Sequence, residues 1–302
     1  MILTVMHPGE IATTVPLVEG LVASQFPQWA GRAVAPVASG GTDNAIYRLG
    51  DDLSVRLPRM ERATGQVGLE RRWLPALAPR LPAEIPEVLA VGRPALGYPF
   101  SWGVYRWIAG DNPQSPAGLG EPLAAFLTAL RAIDPGDGPR AVPGGRGASL
   151  RGRDIGEWIP QLADDYDPAV LTGVYEADRS APEHDGPPVW LHGDLHAGNL
   201  LVRDGTLAAV LDWSCLTVGD PAADLIPAWL LLDEAERGAF REALEAGQDM
   251  WRRGRAWAFG MAIAALAYYR DTNPYFAALG RFGIGAVLSE TGRAGPGSRP
   301  SL

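Results

Sequence analysis

Two stretches of the chain set carboxylates, an amide and imidazoles at short intervals: "WLHGDLHAGNLLV" (Trp190–Val202) and "VLDWSCLTVGDPAADL" (Val210–Leu225). Asn199 follows Asp194 by five positions, and Asp212 follows Asn199 by thirteen. Phosphoryl transfer has a use for each of the three. The reaction needs an acceptor for the hydroxyl proton and a magnesium ion to neutralise charge spread over the migrating phosphate. Magnesium takes a few hard oxygen ligands from protein and leaves its other positions to water and phosphate. One Asp as base, with one Asn and one Asp as metal ligands, supplies that minimum. A second chemistry is also conceivable, because His192, Asp194 and His196 alternate along the chain and could ligate zinc in a hydrolase. That site would need further His or Cys ligands, and the sequence offers only His7, His184 and Cys215.

The spacing matches the protein-kinase pattern of a catalytic Asp, an Asn five residues on and a metal Asp on the next strand pair. "HGDLHAGN" stands where kinases write His-Arg-Asp. In detail both stretches resemble the signature of the aminoglycoside and macrolide phosphotransferases, the antibiotic kinases, together with their choline-kinase-like relatives. The resemblance extends weakly from about Val34 to Asn273. It implies an α+β, protein-kinase-like bilobal fold, with a small mostly antiparallel β lobe before a larger α-rich one. It further implies Asp194 as the group that positions or deprotonates the substrate hydroxyl, and Asn199 and Asp212 as Mg²⁺ ligands. His192 is expected to brace the catalytic loop, Asp220 to be buried and hold it, and Asp224 to cap the following helix.

The elements that must position these residues can be read upstream. From Val34 to Arg59 apolar and polar residues alternate around the turn signals "SGGTDN" and "LGDD", which predicts an antiparallel meander. A helical segment follows with Val67, Leu69, Leu74 and Leu77 apolar, then the strands "EVLAVG" and "FSWGVYRWIAG". By the resemblance, Ser39, Gly40, Gly41, Thr42 and Asn44 cover the phosphates of the nucleotide. Arg56 stands where kinases put a phosphate-binding Lys, with Glu70 as its partner, and the backbone of Trp107, Ile108 and Ala109 meets the purine. Arg keeps its charge and offers a planar bidentate contact, so the replacement is chemically workable. Backbone contacts leave no side-chain signature, so ATP and GTP fit equally. The expected divisions are a nucleotide lobe at 1–107, a hinge at 108–111, a catalytic and acceptor lobe at 112–290 and a flexible tail at 291–302, with a cleft between the lobes.

Bulk composition narrows the partners. The chain has 302 residues, 47% of them hydrophobic, enough for a core split between two lobes. All 26 basic residues are Arg, and the formal net charge of -9 argues against nucleic acid as the main ligand. A cationic acceptor is compatible with it. Asp233, Glu234, Glu236 and Asp271 in the C-terminal helices would suit a polyamine-like sugar if they faced the acceptor. His196 reads either as an acceptor contact or as a satisfied core histidine. Trp229, Trp251, Trp257, Tyr268 and Tyr269 read as core rather than stacking platforms. A single cysteine excludes an internal disulfide, and the N-terminus carries no signal-peptide pattern, so a cytoplasmic location is expected. "AWAFGMAIAALAYY" is too short to span a bilayer and reads as a buried helix, so no membrane is expected.

The reaction expected is transfer of the γ-phosphate of ATP or GTP to a hydroxyl of an antibiotic of aminoglycoside, macrolide or nucleoside type, giving resistance by inactivation. A metabolic kinase acting on choline or a sugar, or a non-catalytic nucleotide-binding protein of the same fold, are the alternatives.

Overall fold

The alternation between Val34 and Pro58 yields three antiparallel strands, β1 (Val34–Pro36), β2 (Asn44–Leu49) and β3 (Leu53–Pro58). The computed structural model describes residues 9–37 and 43–293. Ser39, Gly40, Gly41 and Thr42 therefore lie outside the described residues, as do 294–302 of the expected tail. The chain divides into two compact units. The first takes the chain up to Pro79, Glu84–Gly110 and Ala209–Ser214; the second takes Arg80–Ala83, Asp111–Ala208 and the chain from Cys215 onward. A single cut of the polypeptide cannot give this division, because the short segment carrying Asp212 belongs to the first unit.

In the first unit, β4 (Val88–Gly92) and β5 (Trp102–Arg106) complete an antiparallel sheet of order β1-β2-β3-β5-β4. The strand period of two decides which side chains meet. Ala45, Tyr47, Leu49, Val55, Leu57, Trp102 and Val104 share one apolar cluster with Val18, Leu21 and Val22 of helix α1 (Val15–Gln25). Arg56 and Tyr105 belong to the alternate positions, whose face meets helix α2 (Gln66–Leu77) through Glu70. Helix α1 was not among the elements expected. Its signals are present, with Thr14 Oγ1 accepting from Leu17 N–H at 3.4 Å and Pro16 in the first turn. Its buried side chains recur at i, i+3 and i+4, and each large one fully buried is worth about 1.5–3 kcal/mol.

The second unit contains α3 (Gly120–Arg131), α4 (Pro168–Arg179), β6 (Val189–Leu191), β7 (Leu200–Arg203), β8 (Thr206–Val210), β9 (Thr217–Gly219), α5 (Pro227–Leu230), α6 (Glu234–Ala243), α7 (Gln248–Tyr269) and α8 (Pro274–Glu290), with β8 ending in the first unit. Strands β6 and β9 pair antiparallel, and β7 and β8 form a two-stranded hairpin. The apolar helix α7 packs against α4 and α8, and no helix among the described residues is long and apolar enough to cross a membrane. Polar contacts lock the three together. Arg255 on α7 grips Asp178 of α4 through two bonds of 2.6 and 2.7 Å, and Glu290 at the end of α8 accepts from the indole N–H groups of Trp229 and Trp251 at 2.5 and 2.8 Å.

Trp229, Trp251 and Trp257 are core residues, as their surroundings in sequence suggest. Tyr268 departs from that expectation. It is exposed near the C-terminal end of α7, where its ring meets Trp158 edge-on. Residues 291–293 of the expected tail instead close α8, the N–H groups of Thr291, Gly292 and Arg293 donating to the Val287, Ser289 and Leu288 carbonyls.

Candidate active site

The loop from His192 to His196 links β6 to a 3₁₀ turn, Ala197–Asn199, from which β7 departs. The turn forms because the His196 imidazole accepts from Gly198 N–H at 3.1 Å, as a helix-capping side chain does. Tyr275 of α8 fixes the same ring, its hydroxyl lying 3.0 Å from Nδ1 and accepting from Gly198 N–H at 2.7 Å. From the second unit's N-terminal side, Asn112 donates through Nδ2 to the carbonyls of Ala197, Gly198 and Leu200. The result is a turn held from three directions. Asn199 is thereby placed with its Nδ2 donating to the Asp194 carbonyl at 2.8 Å and to Asp194 Oδ2 at 3.3 Å. With the nitrogen so engaged, the amide offers Oδ1 as its remaining ligand atom.

The start of the loop is held by Asp224. Its carboxylate accepts from His192 N–H at 2.8 Å and Gly193 N–H at 2.6 Å, and it is fully buried. Burial pushes its pKa up, opposed by those two N–H donors and by the Arg131 charge. The roles expected for Asp220 and Asp224 are therefore exchanged. Asp220 pairs with Arg253 at 2.7 Å and caps the turn Pro221–Leu225 through Ala222 N–H at 2.9 Å, without touching the catalytic loop. His192 braces the loop from within, Nδ1 accepting from Asp194 N–H at 3.2 Å. Gly193 has a φ of +82°, and a Cβ there would lie 2.9 Å from the Cys215 carbonyl oxygen, so only glycine fits between His192 and Asp194.

Asp194 keeps about a quarter of its side chain accessible, with Arg146 Nη2 at 3.5 Å and His196 Nε2 at 3.7 Å. Burial acts to raise its pKa, but the His196 Nε2 contact and the Arg146 charge outweigh it and hold the carboxyl well below its usual value. Asp194 is thus an ionised acceptor throughout the neutral range. Sequence reasoning passed over Arg146, which sits in a Pro, Gly and Arg loop, and over Asn112 and Tyr275, whose partners are distant in the chain. The His192, Asp194 and His196 zinc arrangement does not form, since both His Nδ1 atoms are engaged in bracing the loop and no cluster of three metal-binding His, Cys, Asp or Glu occurs among the described residues.

In the first unit, Arg56 Nη1 lies 3.7 Å from Glu70 Oε1 and its guanidinium stacks on the Tyr105 ring at 4.3 Å. Glu70 accepts from Tyr105 Oη–H at 2.6 Å and from Trp213 N–H at 3.3 Å. Burial pushes the Glu70 carboxyl up, with Arg56 the chief opposing charge. Across the ladder from Arg56 stands Gly103, where a Cβ would come within 2.5 Å of the Tyr105 ring, so the missing side chain makes the stack possible. Asp212 adopts a φ of +56°, a left-handed conformation that Asp tolerates, and its Oδ1 accepts from Ser214 N–H at 3.2 Å. Its second carboxylate oxygen and Asn199 Oδ1 are hard donors of the kind magnesium takes, so the residue types fit that ion.

Other candidates sit differently from expectation. Asn44 spends its amide N–H on Gln66 Oε1 at 2.6 Å, and Trp107 spends its backbone N–H on the Asp52 carbonyl at 2.8 Å with Arg48 stacked on its ring. Trp107 N–H is therefore already committed, while Ile108 and Ala109 lie beyond the end of β5. Asp233 is the N-cap of α6, accepting from Glu236 N–H at 3.0 Å, and Glu236 accepts from Gly118 and Gly120 N–H. Glu234 and Asp271 are exposed. The four acidic residues offered for a cationic acceptor thus divide into helix caps, loop ties and solvent-facing groups, and His196 is a buried capping residue.

An antiparallel sheet unit that carries a buried Arg–Glu pair, followed by a helical unit with a braced Asp and Asn, is the arrangement of a kinase-like phosphotransferase. The model of the phosphotransferase enzyme family matches residues 34–257, and the chain belongs to that family. No curated protein matches. Among solved structures, an aminoglycoside 2″-phosphotransferase in complex with GDP and kanamycin is similar at 17% identity and a TM-score of 0.69, over 91% of this chain and 98% of that one. A type I macrolide 2′-phosphotransferase is similar at 18% identity and a TM-score of 0.62, over 88% and 96%. The macrolide 2′-phosphotransferase of Brachybacterium faecium is 22% identical with a TM-score of 0.58, over 89% and 97%. These similarities establish the α+β, kinase-like fold; the family establishes a phosphotransferase.

Proposed function

We propose that the protein transfers the γ-phosphoryl group of ATP or GTP to a hydroxyl of an antibiotic or a related hydroxylated natural product, inactivating it. The observation that carries this reading is the catalytic loop. Asp194 is held ionised beside Arg146 and His196, with the Asn199 amide nitrogen turned onto it. A carboxylate with so low a proton affinity is a weak base, so its contribution is to accept a hydrogen bond from the acceptor hydroxyl, aim its lone pair and take the proton late. That suits a loose transition state, in which the nucleophile needs little deprotonation before the phosphoryl group moves.

Asn199 and Asp212 are the proposed magnesium ligands. The ion would neutralise the negative charge of the nucleotide phosphates when bound. Arg56, fixed by Glu70 and by the Tyr105 ring, is the proposed α- and β-phosphate contact in place of Lys, and the Trp107–Ala109 backbone the proposed purine contact. The reaction is placed in the cytoplasm, where nucleoside triphosphate and magnesium are both available, with no nucleic-acid or membrane partner. Support for an antibiotic acceptor comes from family membership and from the aminoglycoside and macrolide phosphotransferases of the same fold.

The test is a panel of aminoglycosides, macrolides, nucleoside antibiotics, choline and sugars, each offered with ATP or GTP and magnesium and read by mass spectrometry. The expected result is gain of one phosphoryl group by at least one antibiotic. Phosphorylation confined to choline or a sugar would replace the antibiotic reading with a metabolic one.

A further inference from the structure

Beyond the catalytic loop, the second unit gathers buried donors that have no acceptor. Arg153 Nε, Tyr175 Oη, Trp257 Nε1 and Arg146 Nη1 are each buried without a hydrogen-bond partner among the described residues. Three of them converge. The Arg153 guanidinium lies 4.8 Å from the Trp257 ring centroid, and a Cβ built at Gly260 of α7 would lie 3.5 Å from Arg153 Nε and 3.4 Å from the Tyr175 ring. Arg153 and Tyr175 line a cavity of about 400 Å³ together with Ile155, Ile159, Thr172 and Arg179.

The carboxylates near this cavity are already committed. Glu176 pairs with Arg179 at 3.1 Å, Asp154 accepts from Gly156 N–H at 2.7 Å, and Arg151 has Glu183 at 3.3 Å. No carboxylate lies within ion-pair distance of Arg153 among the described residues. Burial lowers the Arg153 pKa to about 10, and the like charge of Arg146 adds to the effect. A half-buried guanidinium whose Nε is sealed from solvent and which has no counter-ion carries a desolvation cost that an anion would offset.

The chemistry of the orphans selects the ligand. Arg Nε only donates and Tyr Oη can donate, so the complement is rich in acceptors; the uncompensated charge makes it negative. Water fits poorly, because it brings two protons that would need acceptors of their own and no charge. We propose that this cavity binds an oxyanion group, a carboxylate or a phosphate, with Arg153 as its counter-ion and the Tyr175 hydroxyl as a second donor. The oxyanion comes either from an acidic group on the acceptor or from a separate small anion. Arg146, which reaches Asp194 with Nη2 and leaves Nη1 unpaired, lies outside the lining of this cavity. Only the assignment to the acceptor rests on the phosphotransferase reading; anion binding does not.

The full-length protein is titrated with inorganic phosphate and with acetate at constant ionic strength, with chloride as the reference, and its thermal unfolding midpoint is followed. A saturable rise above chloride is expected with at least one of the two. Arg153→Met should lose that rise and unfold in chloride no earlier than wild type, because an apolar side chain of similar length replaces a half-buried charge that has no carboxylate partner. Tyr175→Phe, which removes one oxygen and keeps the ring, should weaken binding roughly tenfold, the worth of one hydrogen bond to a charged group. No saturable effect in the wild type, or an undiminished one in both variants, overturns the proposal. Should Arg153→Met fail to fold, Tyr175→Phe decides alone. Competition between inorganic phosphate and the phosphoryl acceptor supports the site as part of the acceptor pocket; binding without competition supports it as a site for a separate anion. The binding measurement needs neither nucleotide nor turnover, so a failed acceptor panel and a failed titration are separate results.

Discussion

Asp224→Asn is the most direct test of how the catalytic loop is held. In the wild type the Asp224 carboxylate accepts from the His192 and Gly193 N–H groups at 2.8 and 2.6 Å, and a hydrogen bond to a charged group is worth about 1.5–3 kcal/mol. The amide keeps one acceptor oxygen and turns its NH₂ toward the other N–H, so one bond is lost and a buried donor is stranded. The expected cost is roughly 2–3 kcal/mol, against a domain stability of about 5–15 kcal/mol. At about 2–4 °C per kcal/mol, Tm should fall by roughly 4–12 °C. Asp224→Ala strands both donors and should cost roughly 3–6 kcal/mol. Turnover should fall as well, because Asp194 follows directly on the two residues released, and a misplacement of about 1 Å costs on the order of 100-fold. Scanning calorimetry reads the stability and steady-state kinetics the turnover, while nucleotide affinity should stay within about twofold, less than the ~0.5 kcal/mol typical of remote substitutions. Asp220→Asn is the control: it weakens the Arg253 pair and leaves the loop backbone alone, so it should reduce Tm more than kcat. Wild-type Tm and kcat in Asp224→Asn, with kcat lost instead in Asp220→Asn, would refute the exchange of roles.

Three further outcomes follow from the site. Asp194→Ala should lower kcat by about 10² to 10⁴ with little change in nucleotide KM, and a near wild-type rate would remove Asp194 from the reaction. Because its folded pKa lies below the usual 3.8, the stabilisation linked to the Asp194 carboxylate is complete above that value and shrinks as pH falls below it, so the wild-type Tm should drop more steeply than that of Asp194→Asn below about pH 4. Arg56→Ala should raise the nucleotide KM and leave the acceptor KM unchanged; a shift in the acceptor KM alone would contradict phosphate binding by Arg56.

The legible part of the site was the local part. Asp194 and Asn199 stand five positions apart around one tight turn, so the approach of the amide to the carboxylate is set by a few dihedral angles and their spacing was legible, while the capping role of His196 was not. Arg56 and Glu70 could be paired only through the resemblance to kinases, and the ion pair the structure forms agrees with it. Asp220 and Asp224 could not be ranked from sequence. Both follow β9 in "GDPAAD", and which of them meets the His192 and Gly193 N–H groups depends on how the turn Pro221–Leu225 sits against β6. Arg146, Asn112 and Tyr275 reach the loop from distant segments whose composition looks like linker or core, and no local periodicity marks them. Helix α1 did carry a cap, a first-turn Pro and an apolar stripe, and was overlooked beside the stronger strand signals. The aromatic run ending at Tyr269 suggested core throughout because apolarity does not record where a long helix emerges from its neighbours, as α7 does near Tyr268.

Gly193 carries a consequence for anyone who would re-engineer this enzyme. Kinases place an arginine immediately before the catalytic aspartate, but here the left-handed backbone and the nearby Cys215 carbonyl forbid any side chain, so the positive neighbour of Asp194 is supplied by Arg146. The electrostatic setting of the proposed catalytic aspartate is thereby supplied by a Pro- and Gly-rich connector. Shortening or grafting that connector to alter acceptor choice would detune the chemistry in the same stroke, whereas a library that varies the α6 surface around Glu234 leaves it untouched.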